Sequence, residues 1–377
     1  MRAIESLLRK RLVICVGSGG VGKTTTSAAL ACAGALHGRR AGVITVDPAR
    51  RLKDALGLDG LSIEPHRVAV DGTRHFDALA LDTKRTFDAI IQRFAPSPDA
   101  AKRIFANRLY QELSNELAGS AEYMAMEKLH ELLHVGRYQL LIVDTPPSAH
   151  ARELLTAPTR LTDLLASRAV SLLQAPGSLL SGAGGLGRLT LTALLKALQR
   201  WTGLDLLSDL AEFVRSFEHM IEGFHTRAEE VARLLRASST AFVLVTTPES
   251  HTIETTIAFH RELTDGGFPV AGIIANRVLA FPTLTDADAA AAACDRSLRA
   301  GAADDDSPPR TPRDTPLRDK LLRNYTDLHE LSVRDRHALQ RLHSATRAPL
   351  LAAVPAVTEA PTTLQALQSF AERLVPA

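Results

Sequence analysis

Short apolar runs rich in Val, Ile and Leu recur along the chain at Leu12–Val16 (LVICV), Gly42–Asp47 (GVITVD), Tyr138–Asp144 (YQLLIVD), Ala241–Thr246 (AFVLVT), Val270–Asn276 (VAGIIAN) and Pro349–Val354 (PLLAAV). Runs of this length and character predict strands covered on both faces, as in a parallel sheet. Phe76–Asp82 (FDALALD) alternates in side-chain size and predicts one more strand. Between the strands the period changes to that of helices. Lys84–Phe94 and Lys102–His134 read as helical, and in the second Leu117, Met124, Met126, Leu129, Leu132 and Leu133 form a packing surface beside one solvated face, the methionines serving as core filler. Thr247-Pro248-Glu249 predicts a helix start, with Thr247 as N-cap, proline first and an acid in the first turn. Leu317–Arg347 is helical and highly charged, and Leu364–Leu374 closes the chain as a helix.

The alternation stops between Ala151 and Ser239, where the pattern is helical throughout. Ala175–Gly187 (APGSLLSGAGGLG) is small and apolar. Leu191, Leu194, Leu195, Leu198 and Trp201 then make one stripe, and Leu206, Leu210, Phe213, Phe217, Ile221 and Phe224 a second. The second stripe reads as packing surface. Residues 178–198 either pack on the core or present a surface that meets a hydrophobic client or partner. The helix Glu218–Arg236 is expected to be scaffold, with its charges on the face turned from the core. Phe281–Arg318, rich in Ala, Asp, Pro and Arg, cannot bury a core and is expected to be a mobile loop.

The first strand runs into a pattern that carries chemistry. Gly17-Ser18-Gly19-Gly20-Val21-Gly22-Lys23-Thr24 fits G-x-x-x-x-G-K-[ST], the phosphate-binding loop, and it stands between a strand and an Ala-rich helix as that loop requires. Glycines let successive backbone N–H groups turn toward phosphate oxygens, and the helix N-terminus adds partial positive charge. Lys23 is placed to reach the β- and γ-phosphates, and the Thr24 hydroxyl to ligate Mg²⁺. Three further strands end in acids, and two of these, Asp47 and Asp144, are candidates for the site. Asp47 faces the crevice at a strand C-terminus or caps the helix that follows. Asp144 closes the most apolar strand downstream of the loop, the place from which a carboxylate holds Mg²⁺ through Thr24 or water. Asn276 ends another strand, where an Asn serves a turn or offers a paired donor and acceptor to a base.

The loop with its following Thr25, together with Asp47-Pro48-Ala49 and Asp144-Thr145-Pro146-Pro147-Ser148-Ala149-His150, resembles the ArsA-like anion-transporting ATPases, a group of deviant Walker A ATPases. The resemblance covers nearly the whole chain. It implies a P-loop NTPase fold, Mg²⁺–ATP as substrate, and a dimer that opens and closes. It assigns Asp47 to positioning the attacking water and Asp144, Thr145, Pro147, His150 and Leu154 to a second switch. Asn276 becomes the reader of the adenine edge, and Pro355 starts the adenine loop. In members that target tail-anchored membrane proteins the helical insertion builds a hydrophobic groove. Departures matter too. The group's signature lysine, which reaches the partner's nucleotide, is Ser18 here, so the expectation is that a lysine-containing paralogue supplies the cation in a heterodimer, that another residue such as Arg50 or Arg51 substitutes in a homodimer, or that hydrolysis is slow. Arsenite-binding members carry cysteines in the insertion, and residues 151–239 contain none. A C-x-x-C that bridges subunits through zinc is absent as well, so no zinc is expected.

Composition narrows the setting. The 377 residues suffice for one α/β core with an inserted subdomain. The net charge of +2 gives no argument for nucleic-acid binding. Three dispersed cysteines, Cys15, Cys32 and Cys294, suit a reducing compartment. The short, charged N-terminus lacks a signal-peptide core, and no run spans a bilayer, so a cytoplasmic protein is expected, peripheral to the membrane only through a partner. The fold expected is a mostly parallel, doubly wound α/β sheet with an inserted helical subdomain. Its parts are core at 1–150, insertion at 151–239, core at 240–280, loop at 281–318 and core at 319–377. ATP hydrolysis serving a protein or membrane-protein client is the leading expectation. An ATPase subunit driving an arsenite or anion pump, and a weakly hydrolysing regulatory subunit, are the alternatives.

Overall fold

Alternate residues of β1 (Leu12–Val16) part to opposite sides of the sheet. Leu12, Ile14 and Val16 pack with Leu141, Val143, Phe242 and Leu244, while Val13 and Cys15 pack with Val43, Ile142 and Val243 on the other side. With apolar layers on both faces, all five positions of β1 are buried and apolar, which is why the pattern reads as an unbroken run. The computed structural model describes residues 2–46, 50–58, 64–95, 97–106, 121–146, 223, 225–279, 315–357 and 363–374. The other strands among them are β2 (Ala41–Thr45), β3 (His66–Ala69), β4 (His75–Ala80), β5 (Leu140–Asp144), β6 (Thr240–Thr246), β7 (Val270–Val278) and β8 (Leu350–Pro355).

The order across the sheet is β3-β4-β2-β5-β1-β6-β7-β8. Every pairing is parallel except β3 with β4. One face carries the helices Arg2–Leu8, Lys23–Leu36, Arg50–Leu56 and Leu364–Leu374. The other carries Ala121–His134, residues 225–236, Ser250–Asp265 and Thr315–Thr346. A smaller apolar cluster joins the helices Thr83–Phe94 and Pro98–Ala106 to Met124. Successive strands lie on either side of β1, with β5 on one flank and β6 on the other. The direction of winding therefore reverses there, and a crevice opens above the strand C-termini.

Several expectations change. The antiparallel edge strand β3 was not legible, because only Val68 of its four residues is buried. β7 runs on through Asn276 to Val278 instead of ending at Asn276. The helix after β6 starts at Ser250, with Glu249 at its N-cap position and no side-chain cap bond. The Thr247 hydroxyl, expected to cap it, lies 3.0 Å from the Thr252 hydroxyl instead, while Thr252 reaches the Glu249 carbonyl at 2.8 Å. Helix 225–236 also departs from the expected pattern: Arg227 is buried against Glu127, and the partly exposed Glu230 meets His130, both on the helix Ala121–His134. Met124 and Met126 are buried as expected. The segments 151–222 and 281–314, and with them the 178–198 surface, Leu154 and Cys294, lie outside the described residues. No helix among the described residues is long and apolar enough to cross a membrane.

Candidate functional site

β1 stops at Val16 because the next residue must be glycine. Gly17 has φ +154°, and a Cβ there would stand 2.1 Å from the Val245 carbonyl oxygen of β6. The loop ends at Gly22, whose left-handed backbone (φ +92°) sets the N-terminus of the 14-residue helix Lys23–Leu36. Fourteen residues give that end a full helix dipole directed at the loop. Lys23 is 6% exposed, and its Nζ donates to the carbonyls of Gly17 (3.0 Å) and Ser18 (2.8 Å). An ammonium this deep needs such partners, and they hold it inside the loop. Gly19 and Gly20 are exposed at the loop's crest, Val21 is buried beneath it, and Thr25 lies half-buried in the first helical turn.

Three strand ends meet under the loop. In the sheet register Asp144 stands opposite Cys15 on β1 and Thr45 on β2. The carboxylate is fully buried. Its Oδ2 accepts from the Thr24 hydroxyl at 2.8 Å and the Thr45 hydroxyl at 3.0 Å. Thr145 anchors the chain as it leaves β5, its hydroxyl donating to the Cys15 carbonyl at 2.8 Å. Burial, aided by the neighbouring Asp144 charge and opposed by Ser27 and Lys23, pushes the Cys15 thiol up to about 12, so it stays a neutral packing group. The Thr24 hydroxyl and Asp144 carboxylate are hard oxygen donors in direct contact, a set that suits Mg²⁺.

Asn276 joins this centre from β7. It is 7% exposed, its Nδ2 donates to the Val21 carbonyl at 3.0 Å, and its Oδ1 accepts from the Arg277 N–H at 2.9 Å. Arg277 turns left-handed there (φ +56°), so the amide serves the turn and grips the phosphate loop at once. Pro355 closes β8 opposite Val278, next to Asn276 in the same sheet edge. The Ser18 hydroxyl oxygen is buried and takes no hydrogen bond among the described residues. Asp47, Pro48 and Ala49, and Pro147, Ser148, Ala149 and His150, lie outside the described residues. Thr45 is a site residue the sequence reading passed over. Its signal was present: it is the polar residue two before Asp47 in an otherwise apolar run.

The family model of the anion-transporting ATPases matches residues 10–295. The chain is 28% identical over 283 residues to the protein named ATPase get3 of Aspergillus terreus, spanning 75% of this chain and 77% of that one. It is 29% identical over 273 residues to ATPase GET3 of Paracoccidioides lutzii, spanning 72% of this chain and 74% of the other. ATPase GET3 of Paracoccidioides brasiliensis matches to the same extent. The matched span begins two residues before β1 and ends beyond β7, and so takes in the loop, Asp144 and Asn276. The chain therefore belongs to the anion-transporting ATPase family and is itself an ATPase.

Proposed function

We propose that this ATPase couples Mg²⁺–ATP hydrolysis to the opening and closing of a dimer that handles a protein or membrane-protein client in the cytoplasm. The observation that supports the chemistry best is the contact of both Thr24 and Thr45 with the buried carboxylate of Asp144, directly below a complete phosphate loop. In this reading Lys23 leaves the loop carbonyls for the β- and γ-phosphates. There it and the loop amides offset charge on the transferred phosphoryl group. Thr24 and Asp144 would hold Mg²⁺, which when bound would supply positive charge to offset that of the phosphates. Asp47 orients the attacking water. Asn276 reads the adenine edge, and the chain after Pro355 lies along the base. The nucleotide cycle moves the insertion that precedes helix 225–236, that helix staying packed on the sheet, and residues 178–198 meet the client. A peripheral position at the membrane comes through that client or a partner.

A protein client is favoured over arsenite because residues 151–239 contain no cysteine. Ser18 supports a second reading, a weakly hydrolysing subunit paired with a lysine-containing paralogue, since a buried serine hydroxyl carries no charge to a neighbouring subunit. Steady-state hydrolysis by the purified chain alone separates the two. We expect turnover that falls by roughly 10²–10³-fold in Lys23→Ala, the scale of losing one charge-stabilising group. ATP binding without turnover sinks the self-sufficient enzyme and supports the paired subunit. Clear stimulation by arsenite would overturn the client reading.

A further inference from the structure

The helix Ala121–His134 ends in His130-Glu131-Leu132-Leu133-His134. Side chains four apart lie on the same helical face. The two imidazoles stack there, ring centroids 4.1 Å apart at 29°. Glu230, on helix 225–236, meets them from the opposite side. Its Oε2 is 2.6 Å from His130 Nε2 and 4.0 Å from His134 Nε2. One ligand atom from each residue falls within 4.8 Å of the other two.

The register that creates this cluster is fixed one turn away. Arg227 Nε donates to both carboxylate oxygens of Glu127, at 3.0 and 2.8 Å, in a buried pair. Moving three residues along each helix from that pair gives His130 and Glu230. The buried pair thus holds the two histidines and the carboxylate face to face.

We propose that His130, His134 and Glu230 bind a Zn²⁺ ion. Two imidazoles one turn apart on a helix and a carboxylate from a second helix are the donor set zinc takes in open, three-ligand sites. Bonds of about 2.0–2.1 Å in tetrahedral geometry set ligand atoms roughly 3.3 Å apart. The 2.6 Å contact then opens and the 4.0 Å contact closes, each by less than about 1 Å, within reach of side-chain rotation. His130 is 14% exposed and His134 65% exposed, so the ion is backed by protein on one side and open on the other. The open side faces a cavity of about 400 Å³ that Arg11 and Arg233 also line. That volume leaves room for a fourth ligand, and the two guanidinium groups favour an anionic one. The intervening Glu131 turns its carboxylate to Lys128 at 3.1 Å, so the assignment is to metal binding and not to peptide hydrolysis.

The site is separate from the nucleotide chemistry. Arg11 and Ala237, which share its cavity, precede β1 and β6, at the end of the sheet away from the phosphate loop. The ion joins two helices, the second of which brings the chain from residues 151–222 back into β6. It rests on histidine and carboxylate donors, so the missing C-x-x-C has no bearing on it.

The test uses the full chain, stripped with a chelator and dialysed. Zn²⁺ is titrated in competition with a chromophoric chelator, and Co²⁺ is added to read d–d absorption. One tight equivalent is expected, with an absorption band of tetrahedral Co²⁺ and a rise in Tm on adding Zn²⁺. His134→Ala and Glu230→Gln are expected to weaken binding by about 100-fold or more and to remove both the band and the Tm rise. His251→Ala, an exposed histidine on another helix, is expected to leave all three unchanged. Because His134 is largely exposed, its variant folds without metal, and a circular dichroism melt checks this. Absence of a bound equivalent in the wild-type chain overturns the proposal, as does binding of equal strength in the His134→Ala and Glu230→Gln variants.

Discussion

Asn276 shows how one side chain can hold two parts of a site. Its amide nitrogen binds the Val21 carbonyl and its oxygen stabilises the left-handed turn at Arg277. Gly22 packs so closely on it that a Cβ there would meet Nδ2 at 2.2 Å. Asn276→Ala removes the grip on the loop and, in the reading proposed above, the match to adenine. We expect weaker binding of both ATP and GTP, because the loop serves their common phosphates, and loss of the preference for ATP, because only the base differs. Fluorescent-nucleotide titrations with both nucleotides check this. An equal loss for the two with the preference intact would leave Asn276 as a loop clamp and remove its adenine role. The sequence pointed to this residue through its place after an apolar run. It could not reveal the contact with Val21, which joins positions 255 residues apart.

At the scale of elements the Glu127–Arg227 pair is a buried polar link between two helices on one face of the sheet. Both side chains are at most 10% exposed, and the guanidinium also lies 3.9 Å from the Phe94 ring centroid. Removing one partner of a buried pair leaves a charge in a low-dielectric setting. Glu127→Ala is expected to destabilise the fold by roughly 3–5 kcal/mol, and the paired change Glu127→Leu with Arg227→Met by much less. Urea unfolding of the three chains measures it, and a single variant as stable as wild type would refute it. This link also marks where the sequence stopped being legible. Fully buried strands announce themselves, because β1, β2, β5 and β6 carry no exposed position. The phosphate loop is legible for a similar reason, since its chemistry requires a contiguous pattern. Helix 225–236 looked like scaffold with outward charges because helical spacing alone does not say which polar residues find partners. Arg227 and Glu230 turn inward only because Glu127 and His130 wait on another helix. The antiparallel β3 escaped for the opposite reason, having too little burial to leave a pattern.

The described residues form a sheet covered by apolar layers on both faces, and the two cysteines among them report on that seal. Cys15 in β1 and Cys32 in the helix after the loop are both free and fully buried. Burial is the main cause that pushes Cys15 up to about 12 and Cys32 up to about 11, with Asp144 and Glu372 adding to the respective shifts. In the unfolded chain a thiol ionises near about 8.5. The folded state therefore keeps protons that the unfolded state releases, so the unfolded state binds fewer and stability falls as pH rises. The contribution is complete below about pH 8.5 and is lost through the folded values near 11 and 12, at about 1.4 kcal/mol per pH unit for each thiol. Tyr138, raised by burial and by the Asp77 carboxylate, acts in the same direction at higher pH. Urea midpoints measured from pH 7 to 10.5 should hold steady and then fall. In the double variant Cys15→Ala, Cys32→Ala the fall should be shallower. Comparing slopes, not absolute midpoints, sets aside whatever the lost sulfur atoms cost in packing. Alkylation read by mass spectrometry gives the companion result. Both thiols should resist iodoacetamide in the native protein and react together on unfolding, because one continuous core on that side of the sheet covers both. An unchanged alkaline slope in the double variant, or rapid native labelling of either thiol, would mean that the layer over β1 opens far more readily than its packing implies.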